Sequence, residues 1–329
     1  MEVLVVGNTS YVDDDFCAKA FPGDHVQVVA ASDAQRDGSP APSSWNELLQ
    51  HLDQAYEFDR VVYLSTYLTP HTETFGDIEL LRSVFRACMD RQIQLLFVTG
   101  PAGVDGDVDA AGQTGKGIIA RAANDLCRYD AAHDGIQAKI LRVPYLYTAS
   151  PALNDPFLVP LFQSCSHGSL VLKNSADSPL QALCAEELAV LVRRIFDSWD
   201  PAFEELGVAD SFAHTLGDLG EALKQLFPGL QVTYGDDVEA FVAPSDAIRK
   251  RYGWFQRYDV LTDLSTIHAR WEQSRAGKRH PLRHAIDRMR EHTLPIICAE
   301  TALAWVLFEC LERVFSQSAQ LNVLDYRLL

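Results

Sequence analysis

The feature that most constrains this chain is an alternation running through its first 150 residues. Short apolar runs of strand length are separated by segments with helical periodicity. EVLVV (2–6), HVQVVAA (25–31), RVVYLST (60–66), QIQLLFVTG (92–100) and AKILRVPYLY (138–147) read as strands. Between them DDDFCAKAF, a segment from about Trp45 to Tyr56, IELLRSVFRACMD and KGIIARAANDLCRYDAAH read as helices. In the third of these, Leu80, Leu81, Val84, Phe85 and Cys88 line one side. Parallel strands need long crossovers and antiparallel ones do not, so this rhythm predicts a parallel sheet covered by helices on both faces.

The second half is less regular. LQALCAEELAVLVRRIFDSW starts as a strand and turns into a helix, LGDLGEALKQLF is a further helix, and LQVTYG is a short strand. The division expected is a doubly wound α/β domain over 1–150, a smaller lobe over 151–273 that returns chain to the sheet, and an added tail over 274–329. No internal repeat is visible.

Composition narrows the function. With 329 residues, 47% of them hydrophobic, the chain can bury a sizeable core. A net charge of −17 excludes general nucleic-acid binding, which needs a lysine and arginine surface. Seven cysteines stand singly with no CxxC pair, which suits reduced core thiols and not a disulfide framework. His280 and His284 have a helical ligand spacing, but Arg279 and Arg283 flank them and no metal is expected. GxSxG, HExxH and GxxxxGK[ST] are absent, so hydrolase and phosphate-loop chemistries find no support. Val3 to Val6 is too short for a secretory signal core and reads as a strand, giving a cytoplasmic expectation.

The order of several segments resembles the extended short-chain dehydrogenase/reductase family, the nucleotide-sugar epimerases and dehydratases. VLVVGNTSYVDDDF is similar to the family's strand, GxxGxxG turn and helix, and VTGPAGVDG to its catalytic serine loop. ILRVPYLYTASP keeps Arg142, Pro144 and Tyr147 of the family's Arg-Pro-x-x-Tyr-Gly-Pro stretch. SDAIRKRYGWFQRYDVLTDLSTIHARWE resembles its C-terminal signature, a helix, Gly-Trp and a final helix. The likeness covers about Met1 to Glu272 and implies a Rossmann-like fold with a smaller C-terminal lobe.

At the family's chemical positions this chain departs from the pattern. The family uses a tyrosine as general acid/base, a lysine four residues on, and a serine or threonine that polarises the substrate oxygen. Here Lys116 stands at the tyrosine position, Ala120 at the lysine position and Pro101 at the serine position. No tyrosine lies between Tyr67 and Tyr129 to rescue the alignment. In the turn, Gly7 is kept, but Ser10 and Asp13 replace the second and third glycines. Asp13, Asp14 and Asp15 place carboxylates where a pyrophosphate would look for free amides and a positive helix end.

The expectation is therefore a pseudoenzyme without cofactor, in which Gly7, Asn8, Thr9 and Asp33 are the vestige of a dinucleotide site. The alternative is an enzyme or sensor that binds NAD(P) or a nucleotide sugar through residues outside the family pattern. The resemblance further implies a homodimer through helices near 78–90 and 116–130, and a setting in surface-polysaccharide synthesis.

The tail adds its own signal. From Arg270 to His292 seven basic residues face three acidic ones, a net of +4 that leaves −21 on the rest of the chain. An apolar run from Leu294 to Phe308 follows, broken by Glu300 and too short to span a bilayer. Residues 275–329 are expected to meet a protein partner or the inner face of a membrane. The ending LNVLDYRLL, with no polar finish, gives the expectation of a longer natural protein.

Overall fold

A computed structural model describes residues 1–7, 11–30, 58–65, 76–100, 115–149, 155, 157–208, 212–237 and 246–277. The helix expected near Trp45 to Tyr56, Asp33, Pro101 and the tail beyond Gly277 lie outside these residues.

Six parallel strands form the main sheet: β1 (Glu2–Gly7), β2 (His25–Ala30), β3 (Arg60–Leu64), β4 (Gln94–Thr99), β5 (Ala138–Arg142) and β9 (Glu204–Gly207), in the order β2-β1-β3-β4-β5-β9. Alternation along each strand sends residues to opposite faces. Val3, Val5, Val62, Leu64, Leu96, Val98 and Leu141 pack on one side with α1 (Asp14–Ala20) and α5 (Ala185–Asp197). Leu4, Val6, Val61, Tyr63, Leu95, Phe97 and Ile140 pack on the other with α2 (Gly76–Arg91) and α3 (Gly115–His133). Both faces are therefore apolar, which is why these strands read as continuous hydrophobic runs. The α2 side chains Leu81, Val84, Phe85 and Cys88 are at most 1% exposed. Burial of each large apolar chain among them is worth roughly 1.5–3 kcal/mol.

A smaller lobe gathers β6 (Tyr145–Tyr147) with β8 (Ala182–Cys184), and β7 (Ser169–Asn174) with β10 (Gln231–Asp237), both pairs parallel. Around them lie α4 (Leu158–Ser166), α6 (Leu216–Leu226) and α8 (Val260–Gly277), sharing a third core that includes Phe162, Leu219, Ile267 and Trp271. A short α7 (Asp246–Lys250) precedes the Gly-Trp segment.

The helix α4 and the strand β7 answer to no expectation from the sequence, and two further elements differ from theirs. The run AKILRVPYLY is not one strand: β5 ends at Arg142, and β6 begins at Tyr145 in another sheet. Pro144 has no N–H to continue the ladder, so the chain turns out of the sheet there. The edge strand β9, EELG, escaped notice because its glutamates carry no apolar pattern. It is held by ion pairs instead, since Arg142 bonds Glu205 at 2.9 Å and buried Lys139 reaches Glu204 at 3.2 Å.

Candidate functional site

In open α/β sheets ligands bind beyond the carboxyl ends of the strands, where the strand order reverses. Here the reversal lies between β1 and β3, so the turn after Gly7 is the place to look. Gly7 has φ +108°, and a Cβ there would lie 2.1 Å from the Leu64 carbonyl oxygen of β3. The glycine is thus required by strand packing alone, with or without a ligand. Asn8, Thr9 and Ser10 are outside the described residues.

Downstream, Asp13 N-caps α1. Its side chain accepts from the Phe16 backbone N–H at 2.7 Å, and Asp14 and Asp15 fill the first turn. The helix end that would receive a pyrophosphate therefore already holds a carboxylate on one of its amides. Tyr11, two residues earlier, is 3% exposed, and its buried hydroxyl makes no hydrogen bond among the described residues. Burial pushes its phenol well up, and the Asp155 carboxyl adds to the shift.

Asp155 is itself 3% exposed and was not singled out in the sequence. It accepts from Phe157 N, Leu158 N, Thr148 N and the Thr148 hydroxyl at 2.8–3.2 Å, joining the end of β6 to the start of α4. Burial raises its pKa although those bonds pull the other way. The Asp155 carboxyl is close enough to the Tyr11 phenol to add to its shift.

The other family positions fall as follows. Lys116 and Ala120 lie in the opening turns of α3, and Pro101 is outside the described residues. At the end of β4, Thr99 is in register with Arg142 on β5. The Thr99 hydroxyl and both amide atoms of Asn124 on α3 are buried and make no hydrogen bond among the described residues. Arg142 is tied to Glu205, which also takes Arg128 of α3. Tyr147 is fully buried, with its phenol pushed up chiefly by burial.

The C-terminal signature is a clamp. Tyr252, Trp254 and Gln256 point inward and alternate with exposed Phe255 and Arg257. Buried Glu187 of α5 accepts from Arg257 N at 2.6 Å and Tyr258 N at 3.2 Å, while the Trp254 indole donates to the Glu187 carbonyl. Arg194 donates to the Tyr252 carbonyl at 3.0 Å and to that of Gly253. Tyr252 and Trp254 are buried packing residues, whereas Tyr258 is 47% exposed. Four of the five described cysteines are buried, with Cys88 and Cys165 pushed up to about 12 by burial. Such thiols are poor nucleophiles. Among the described residues no group of histidine, cysteine, aspartate and glutamate is arranged to hold a metal.

No protein-family model matches the chain, and no curated protein matches it in sequence. Solved structures do. An epimerase from Methanothermobacter thermautotrophicus aligns with TM-score 0.64 at 9% identity, covering 82% of this chain and 92% of that one. The chain has the nucleotide-sugar epimerase fold. UDP-glucose 4-epimerase from Thermotoga maritima, solved with UDP-glucose, aligns with TM-score 0.62 at 13% identity over 83% of this chain and 99% of its own. The dTDP-glucose 4,6-dehydratase from Streptomyces venezuelae, solved with NAD, gives 0.63 at 13% over 86% and 100%. At these identities the likeness is one of fold, and the epimerase fold by itself names no reaction.

Proposed function

We propose that this chain is a non-catalytic module on the epimerase fold, acting as a dimeric interaction or regulatory domain within a larger, membrane-attached protein of surface-polysaccharide synthesis. The observation that carries this reading is the Asp13 carboxylate seated on the α1 amide that a cofactor phosphate would need. Lys116 and Ala120 at the acid/base positions support it, because neither alanine nor a lysine alone supplies the tyrosine chemistry of the family. The dimer would form through α2 and α3. The tail's basic segment and apolar run would supply the membrane contact. The polysaccharide setting rests on likeness of fold.

The test is thermal unfolding with and without NAD, NADP and a panel of UDP-sugars. A ligand at about 100 times its dissociation constant adds roughly 2.7 kcal/mol of stability, a rise of several degrees for a chain of this size. No shift is expected. A shift with any of them would overturn the non-catalytic reading and favour the enzyme or sensor.

A further inference from the structure

The segment from Arg249 to Tyr258, whose second part straps across α5, is basic in an acidic chain. It carries Arg249, Lys250, Arg251 and Arg257 and no carboxylate, whereas the whole chain has a net charge of −17. Lys250 pairs with Asp246, and Arg251 with Asp200 and Glu204. Arg249 and Arg257 are exposed and meet no carboxylate within ion-pair distance among the described residues. Apolar side chains stand beside them: Phe255 is 50% exposed, Tyr258 47% and, on α5, Val190 36%. The Arg257 guanidinium lies over the Phe255 ring, 5.3 Å from its centre. Arg194 holds the strap at Tyr252 and Gly253, and Glu187 holds it at Arg257 and Tyr258. Val190, three residues from one anchor and four from the other, is on the stripe of α5 that the strap crosses. The inward row of Tyr252, Trp254 and Gln256 does the packing, so the outward row leaves apolar area in water that the fold itself does not use.

We propose that this outward face is a docking surface for an anionic lipid bilayer. The reading above places membrane contact in the tail; this contact belongs to the folded body and does not depend on the tail. Phe255, Tyr258 and Val190 enter the headgroup boundary, where a ring with one apolar and one polar side is well placed. Arg249, Lys250, Arg251 and Arg257 lie at the level of the lipid phosphates. The Arg257 stem covers Phe255 while its charge stays at the surface. Charge selects the partner, because an acidic chain is repelled by an anionic surface unless a locally basic face turns toward it. Shape separates a bilayer from an acidic polypeptide. A polypeptide needs a groove or an open strand edge, whereas a fluid surface closes around side chains that stand outward.

Co-sedimentation of the full-length chain with vesicles tests this, using phosphatidylcholine alone and phosphatidylcholine with phosphatidylserine in equal parts. Wild type should bind the mixed vesicles and leave the neutral ones bare. Arg249→Gln with Arg257→Gln should weaken that binding about 30-fold, roughly five-fold for each basic group removed from the surface. Phe255→Ser should weaken it on the order of 10-fold by removing apolar contact. Lys278→Gln with Arg279→Gln in the tail is the comparison. Loss with the tail pair and none with the strap variants would overturn the inference and leave the tail reading standing. Loss with the strap variants and none with the tail pair would support the inference and remove the tail from the contact; loss with both supports both. A wild type that ignores the mixed vesicles would overturn the inference, and its retention by polyglutamate would then make an acidic polypeptide the occupant. Should a variant fold poorly, amide exchange of the wild type decides: residues 249–258 should slow when mixed vesicles are added, and unchanged exchange there would overturn the inference.

Discussion

Two residues in the first turn have causes that can be separated by substitution. Gly7 sits at positive φ with the Leu64 carbonyl in the space its Cβ would need. Gly7→Ala should therefore destabilise the ligand-free protein by about 3 kcal/mol or more, read from urea denaturation. A normal stability would show that β1 and β3 can part there. Asp13→Ala removes a cap and should lose about 1 kcal/mol, while Asp13→Asn keeps an acceptor and should lose much less. Asp155 holds three backbone N–H groups and a hydroxyl in a buried setting. Asp155→Ala should cost about 2–4 kcal/mol, measured the same way, because those N–H groups would be left without acceptors. That Asp13 stands at the start of a helix was legible from DDDFCAKAF, and the structure makes it the N-cap. Asp155 was not, since a lone aspartate in a polar stretch gives no sign that three amides converge on it.

At the scale of elements, the strap from Tyr252 to Tyr258 depends on α5. Glu187→Ala should lift Arg257 and Tyr258 from the helix, leaving two N–H groups unpaired and costing about 2–4 kcal/mol. Faster amide exchange should appear along 254–258, and exchange unchanged there would mean that Trp254 alone anchors the strap. A pH effect belongs to α6. Thr215 and Asp218 form a reciprocal capping box, and the Thr215 N–H and hydroxyl hold the Asp218 carboxyl below its usual range. A depressed acid stabilises the fold at pH above its unfolded value near 3.8 and loses that contribution as pH falls through the folded value. The stability gap between wild type and Asp218→Asn should be widest above about pH 5 and should close below that unfolded value near 3.8. A gap constant with pH would assign the box to hydrogen bonding without charge. The helices and central strands were readable because both faces of the sheet are covered, so hydrophobic runs and helical stripes stand out. The break after Arg142 and the strand EELG were not. The first turns on one missing N–H at Pro144, the second on ion pairs to residues more than sixty positions away.

For the whole molecule, the expectation is that nucleotides leave the melting temperature unmoved. What the sequence by itself determined is the layer order, the parallel sheet and the identity of Lys116, Ala120 and Pro101, the residues that the resemblance sets at the chemical positions. Those follow from local periodicity and from residue identity, which neighbours in space cannot change. Only the tertiary structure decided why Gly7 is a glycine, that Asp155 lies near Tyr11, and that the strap turns Phe255 and Arg257 outward together. Glu187 and Arg257 are 70 residues apart in the chain. Their contact exists only because the chain returns to lie along α5, and long-range packing of that kind leaves no mark in local pattern.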